Sequence, residues 1–357
     1  MKGKCFVIFV YLYAILRLNA QDCIQIHVPV LEKAVKSEKI LSDVEYVSLE
    51  TASDCLMHPG ASVYVTEEFV IVAHFFDKAF LFDRKTGRFI HEIGSKGQGP
   101  GEYTGWWAGA GFSPKEQILY VLEPACWKGF DVKTGRLEQV IKMPSEHKAI
   151  HNPYLYKQGV YLGYTNNITG RILYKLVAFD KDGLVSKVYP NYDQVELQGK
   201  ENEYPMDCGI FYENGSNTCF HVPRTDTVFL VTENNLVPYI CFKHPKEISI
   251  EALGETERFV VFKTVVKMQS HVVFFDKVAK TCYVDIPFEN ASDKYLYSKV
   301  TVSRPMNENK ELVALLKPED VIRYIEKHPE SKKELDPRLL DLQEDDNPVV
   351  MILKVKD

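Results

Sequence analysis

Three groups of residues in this sequence have the types and spacing for chemistry. The first is the glycine-rich stretch EIGSKGQGPGEY at residues 92–103. Bare backbone N–H groups at Gly97, Gly99 and Gly101 could cradle a phosphate. A dinucleotide fingerprint needs G-x-G-x-x-G between a strand and a helix. Here the spacing is G-x-G-x-G with Pro100 inside it, and the following EYTGWWAGAGF is no amphipathic helix. A Walker loop is excluded as well, because Lys96 has no Ser or Thr after it. The second group is His147 and His151, four apart in EHKAIH. That spacing suits a metal on a helix, but no carboxylate stands between them in the usual register, and the segment reads as a loop. The third group is aromatic: Tyr103, Trp106, Trp107 and Trp127. Their ring faces could stack on sugars while the indole N–H or phenol O–H reaches a polar partner. DKDGL at 180–184 imitates the start of a calcium loop but lacks the later ligands. No G-x-S-x-G or H-E-x-x-H motif occurs.

The elements that must position these residues are strands. Residues 63–93 alternate short apolar clusters with polar turns. Phe-Asp pairs begin at Phe82, Phe130, Phe179 and Phe275, with gaps of 48, 49 and 96 residues. The last gap is twice the first, so one unit has lost the dipeptide; DTVFLVTENNLVPYICFKH at 226–244 is its strand–turn–strand. A period near 48 with several short strands per unit marks a β-propeller. The expected fold is all-β: a six-bladed β-propeller over residues 44–357. Residues 44–50 should complete the last blade, so that both chain ends seal the ring. KPEDVIRYIEKH at 317–328 predicts a short helix, with Pro318 at its first position and Val321, Tyr324, Ile325 and His328 on one face. This helical insertion runs over about 317–343, and EDDN at 344–347 reads as a solvated lead-in to the last strand. On this frame the glycine stretch is the connector from one blade to the next. Trp106 and Trp107 then lie near the channel mouth, with Tyr103 and Trp127 as neighbours.

The N-terminus reads as an export signal. MKGK is a basic start, CFVIFVYLYAIL an apolar run of twelve, and Ala20 a small residue before a cut. The run is shorter than the roughly 20 apolar residues that span a bilayer, so residues 1–20 are a signal peptide, 21–43 an N-terminal extension, and the mature chain carries no transmembrane segment. A lipid anchor at Cys23 is not expected, because Asp22 stands where a small residue belongs. An exported chain can form disulfides. Cys208 and Cys219 flank a plausible hairpin and are the candidate pair. The formal charge of −6 excludes nonspecific nucleic-acid binding.

IGSKGQGPGEY resembles the blade junction of NHL-type repeats, and the chain resembles more closely the six-bladed propeller proteins that exported Bacteroidetes families contain. Asp226, Thr227, Leu236, Pro238 and Tyr239 match that family's Asp-Thr-apolar strand followed by Leu-x-Pro-x-Tyr. LVALLKPEDVIRYI and EDDNPVVMILKVK are similar to its closing helix and strand. The resemblance covers residues 40–357 and brings no established catalytic residues. It implies an exported monomer in the periplasm or at the cell surface, binding a glycan or an envelope protein at the channel face, with a lyase or hydrolase as the alternative. No cofactor is expected. By analogy with NHL-like enzymes that hold a channel metal, His74, His151, His221 and His271 are the candidate ligands.

Overall fold

The computed structural model describes residues 23–28, 40–57, 61–74, 77–104, 110–147, 150, 153–165, 167, 172–191, 209–223, 225–266, 269–284, 302, 304–333 and 335–357. Trp106, Trp107, His151, Cys208 and the expected signal peptide lie outside them. Two strands come first in the chain and join the fold last: β1 (Ile24–His27) and β2 (Leu41–Ser48). Five antiparallel four-stranded units follow. The first is β3 (Ser62–Val65), β4 (Phe69–Ala73), β5 (Ala79–Asp83) and β6 (Phe89–Glu92). The second is β7 (Ala110–Ser113), β8 (Ile118–Leu122), β9 (Cys126–Asp131) and β10 (Leu137–Lys142). The third is β11 (Tyr154–Lys157), β12 (Val160–Tyr164), β13 (Tyr174–Phe179) and β14 (Val185–Pro190). The fourth is β15 (Ile210–Asn214), β16 (Asn217–His221), β17 (Thr227–Val231) and β18 (Leu236–Lys243). The fifth is β19 (Ser249–Glu255), β20 (Phe259–Val266), β21 (Gln269–Asp276) and β22 (Thr281–Val284). The sixth combines β23 (Glu311–Leu316), β24 (Val349–Val355) and β2. The protein is a six-bladed β-propeller, as the period predicts.

Two-sided burial explains why the strands read as continuous apolar runs. Six hydrophobic clusters fill six seams, each built from two neighbouring blades. In the first blade, Val70, Val72, Phe80 and Phe82 join Val313, Val350 and Ile352 of the sixth. Ile71, Ala73 and Leu81 turn the other way and join Ala110, Leu119 and Phe130 of the second. Successive side chains on a strand point to opposite faces, so each strand feeds both seams. The Phe of each of the four periodic Phe-Asp pairs is buried: Phe82, Phe130 and Phe179 at 0% exposure and Phe275 at 4%.

The Asp of each pair holds the outer turn. Asp83 Oδ1 accepts from Thr86 N (2.7 Å) and Thr86 Oγ1 (2.6 Å), and Asp131 does the same for Thr134 (2.8 and 2.7 Å). Asp180 accepts from Asp182 N and Leu184 N, and Asp276 from Val278 N and Ala279 N, all at 2.9 Å. These are side-chain mimics of a backbone turn. In the fourth blade Thr232 Oγ1 takes the role, accepting from Asn235 N at 3.0 Å. Gly87 is needed beyond its turn: its φ is +72° and a Cβ there would stand 1.9 Å from Ser48 O of β2.

Closure runs as expected and starts three residues early. β2 pairs antiparallel with β24 from Leu41↔Val355 to Ser48↔Val349, and Val302 bridges Ala314 on the inner side of β23. Arg84 locks this seam, bonding Glu45 at 2.6 Å and Glu311 at 2.8 Å. Burial works against its charge, but the hydrogen bonds it donates to Glu45 and Glu311 outweigh it and raise the pKa. The helix α1 (Pro318–Lys327) is present, burying Pro318, Val321 and Ile325 against the seam of the fifth and sixth blades. One expectation is corrected here. EDDN is not all solvated, because Asn347 is 1% exposed. Its Oδ1 accepts from Met57 N (2.7 Å), and its Nδ2 donates to Glu50 O (2.7 Å) and Cys55 O (3.0 Å).

The N-terminal extension is also more than a leader to the ring. β1 adds a fifth, parallel strand to the fourth blade, from Ile24↔Ile240 to His27↔Lys243. Ile26 and Val28 are buried in the seam between the fourth and fifth blades. A disulfide joins Cys23 to Cys241 across 218 residues, with Cα atoms 6.2 Å apart. The expected Cys208–Cys219 bridge is overturned: Cys219 is a buried free thiol, because its side chain faces the inter-blade seam beside Tyr212. The disulfide also commits the Cys23 sulfur, which a lipid thioether would need.

Replacing Asn347 by Ala should lower unfolding free energy by about 3 kcal/mol, since buried backbone groups of Glu50, Cys55 and Met57 lose their partner at about 1–3 kcal/mol each. A urea midpoint that does not fall would refute this role. Reducing the disulfide should lower the midpoint independently, in a Cys23→Ser variant as well as with dithiothreitol.

Candidate functional site

The glycine stretch is filled by its own side chain. Glu102 folds back into the loop and its Oε2 accepts from Gly99 N at 2.7 Å. Gly97 N donates to Tyr103 O and Tyr103 N to Ser95 O, both at 2.9 Å. A Cβ on Gly97 would lie 2.0 Å from Glu102 Oε2, and one on Gly94, whose φ is +70°, 2.9 Å from the Phe130 ring. The anion that this loop holds is a carboxylate of the same chain. It is a blade connector, not a phosphate cradle.

Two of the four candidate aromatics belong to the core. Trp127 is 0% exposed and stacks on Phe179 at 5.8 Å in the seam between the second and third blades. Tyr103 is 3% exposed and packs edge-on to Phe130 at 5.6 Å in the preceding seam. Neither offers a ring face to a ligand, because each side chain points into a seam closed by the next blade.

His151 lies outside the described residues, and the other three candidate histidines form no metal-holding group. His74 follows β4 in the first blade and packs edge-on to Phe80 at 5.4 Å. His221 ends β16 in the fourth blade, on the opposite side of the ring, and His271 lies on β21 in the fifth. His221 is wholly buried and both its ring nitrogens are committed to backbone. Nδ1 accepts from Ala252 N at 3.1 Å, and Nε2 donates to Thr225 O at 3.1 Å. Burial lowers its pKa from 6.5 to about 4, with the nearby Lys175 charge adding to the effect. Among the described residues no group of three or more His, Cys, Asp or Glu could hold a metal ion.

Other aromatic residues stand on the innermost strands. Among those on β3, β7, β11 and β15 are Tyr64, Phe112, Tyr154 and Phe211, on four successive blades. All four are half-buried. Tyr64 and Phe112 pack against the seam of the first and second blades, and Tyr154 and Phe211 against that of the third and fourth. Tyr64 and Phe112 meet at 5.7 Å across one seam, and Tyr154 and Phe211 stack at 4.7 Å with a 14° angle across another. Tyr64 Oη donates to Ala110 O at 2.6 Å, and Tyr154 Oη to Glu213 Oε1 at 2.7 Å. Lys115 reaches from the second blade to the same Glu213, and its ammonium lies 6.0 Å from the Tyr154 ring centre. Sequence reading missed these rings because Tyr and Phe are common throughout, at 20 each. The available signal was an aromatic in the first strand of each of the first four repeats.

The buried acids are already saturated. Glu255, 1% exposed, accepts from Tyr212 and Tyr239 at 3.0 Å each and from Asn214 at 3.2 Å, and pairs with Lys277 at 2.8 Å. Glu116 accepts from Tyr120 at 2.8 Å and Tyr161 at 2.9 Å. Carboxylates satisfied in this way lock seams and have no free lone pair aimed at open space.

A family model described as "Domain of unknown function (DUF4934)" matches residues 23–354. The chain belongs to the DUF4934 family. No curated protein matches it. Among solved structures, a Bacteroides fragilis protein described as a "Putative exported protein" is similar to this DUF4934 chain, with a TM-score of 0.67 and 16% identity over 94% of this chain and 100% of that one. A DUF4221 protein of Bacteroides vulgatus matches with a TM-score of 0.50 and 9% identity, over 88% of this chain and 97% of that one. Both likenesses speak for the fold alone. No helix among the described residues is long and apolar enough to cross a membrane.

The buried neutral His221 makes the DUF4934 ring acid-sensitive. Its folded pKa is below its unfolded value, so its contribution is complete above about pH 6.5 and is lost as pH falls towards about 4. The loss should approach about 3 kcal/mol across that window, from the proton-linkage relation. Urea midpoints measured from pH 7 to pH 4 should fall less steeply in a His221→Gln variant than in the parent; equal slopes would exclude this histidine as the cause.

Proposed function

We propose that this protein is an exported binding protein of the cell envelope that takes a glycan at the inner end of its channel. The observation that carries the reading is the set of half-buried rings on four successive inner strands, Tyr64, Phe112, Tyr154 and Phe211. Rigid aromatic faces bury area at low entropic cost, and their hydroxyls are fixed by the next blade or strand. Sugar rings present C–H faces that suit such surfaces. Export is supported by the basic and apolar leader, by a long-range disulfide that an oxidising compartment favours, and by the Bacteroides fragilis protein of the same fold, described as a "Putative exported protein". Trp106 and Trp107 precede β7, the strand that carries Phe112, and belong to the same proposal. A protein partner at this face, or a lyase or hydrolase acting there, are the alternatives.

The test is binding of a panel of purified oligosaccharides by calorimetry, followed by the Phe112→Ala, Phe211→Ala double variant and a Trp106→Ala, Trp107→Ala variant. The inner-ring variant should weaken binding roughly tenfold or more, the loss expected for two stacking contacts, while its melting curve stays cooperative. Binding that survives both variants would remove the site. Shortening of a bound oligosaccharide would identify the enzyme reading instead.

A further inference from the structure

The sixth blade brings an arginine to the inner ring beside one of its aromatics. Residue 302 forms the innermost register of the sixth blade through its bridge to Ala314. Two residues on, Arg304 reaches the first blade. Its Nη2 donates to Ser62 Oγ, and its guanidinium lies 5.1 Å from the centre of the Tyr64 ring. Arg304 is half-buried, while Ser62 is 6% exposed. The other cations near the ring have acids. Lys115 is held by Glu213, Lys263 by Glu251 at 2.5 Å, and Lys277 by Glu255 at 2.8 Å. Among the described residues no carboxylate pairs with Arg304.

An arginine in this setting is prepared for an anion. Stacking on Tyr64 and bonding to Ser62 fix the plane of the guanidinium, so little side-chain freedom remains to be lost on binding. A planar fork with unused donors matches the two oxygens of a carboxylate. Tyr64, against which it stacks, is also one of the inner-strand aromatics. A sugar seated on Tyr64 and Phe112 would therefore bring its ring substituents beside Arg304.

We propose that the glycan bound at the inner ring is acidic, and that Arg304 receives its anionic substituent, a uronate carboxylate or a sulfate ester. This rests on the glycan-binding reading above and adds the charge of the ligand to it. The chain as a whole carries −6, so recognition depends on this local contact and not on a general attraction for polyanions. Arg304 acts as a specificity residue.

The experiment titrates the full mature chain with three probes of similar length: an oligogalacturonide for the carboxylate, a carrageenan oligosaccharide for the sulfate ester, and a neutral xylo-oligosaccharide. At least one acidic probe should bind, and Arg304→Met should weaken it about tenfold or more, as loss of a charge-assisted pair requires. The neutral probe should be affected little by Arg304→Met. Arg304→Lys keeps the charge without the fork, and should recover part of the affinity for a sulfate and less for a carboxylate. Melting curves of both variants establish that they fold. If Arg304→Met does not fold, the Arg304→Lys titration decides the question by itself. Binding of the neutral probe alone overturns the acidic-ligand proposal and leaves the glycan reading standing. Acidic probes that bind Arg304→Met as tightly as the parent overturn it too. Absence of binding to every saccharide, or binding only to an acidic peptide, overturns both.

Discussion

The middle strands of each blade are buried on both faces by the blades beside it, and nearly everything else follows from that. A single blade exposes two apolar faces and cannot stand alone. Val70 and Val72 need the sixth blade, while Ile71 and Ala73 need the second. Stability therefore resides in seams more than in sheets, and all the seams must close together. Burying roughly 25 cal/mol per Å² of apolar surface drives the association. The polar groups trapped in the seams are then obliged to find partners, which is why Glu116 and Glu255 are surrounded by tyrosine hydroxyls.

Ring closure is the place where this constraint is hardest to meet. The seam between the last and first blades joins residues from opposite ends of the chain, so it carries the largest loop-closure cost. It is also where specific polar locks concentrate. Arg84 binds Glu45 and Glu311, Asn347 bonds three backbone positions between residues 50 and 57, and Gly87 lets a turn press onto β2. The N-terminal segment adds a second fastening on the other side of the ring. β1 and the Cys23–Cys241 bridge tie the chain's start to the fourth blade before β2 completes the sixth. Two distant blades are thus coupled through one short stretch of chain.

The same geometry decides which rings are enclosed. Tyr64, Phe112, Tyr154 and Phe211 stand on the innermost strands, pack against a seam and stay half-buried. Trp127, His74 and His221 sit on the second or third strand of a blade or at its end, where neighbours enclose them. Position within the blade, not residue type, separates the two sets.

Sequence alone determined the architecture: the 48-residue recurrence of Phe-Asp, the closing role of residues 44–50 and the helix at 318–327 are all local or periodic signals. Turn chemistry is written in adjacent residues, and Asp83 or Asp131 needs nothing from far away to do its work. The tertiary structure decided what depends on distant contacts. Cys23 meets Cys241 across 218 positions, and no spacing rule picks that pair over Cys208–Cys219. Asn347 looks like one more polar residue in a charged loop until β2 and β24 bring residues 50–57 around it. The inner-ring aromatics are hidden among 20 tyrosines and 20 phenylalanines. Exposure depends on which face of which strand a neighbouring blade covers, and that neighbour is supplied by a part of the chain some 50 residues away.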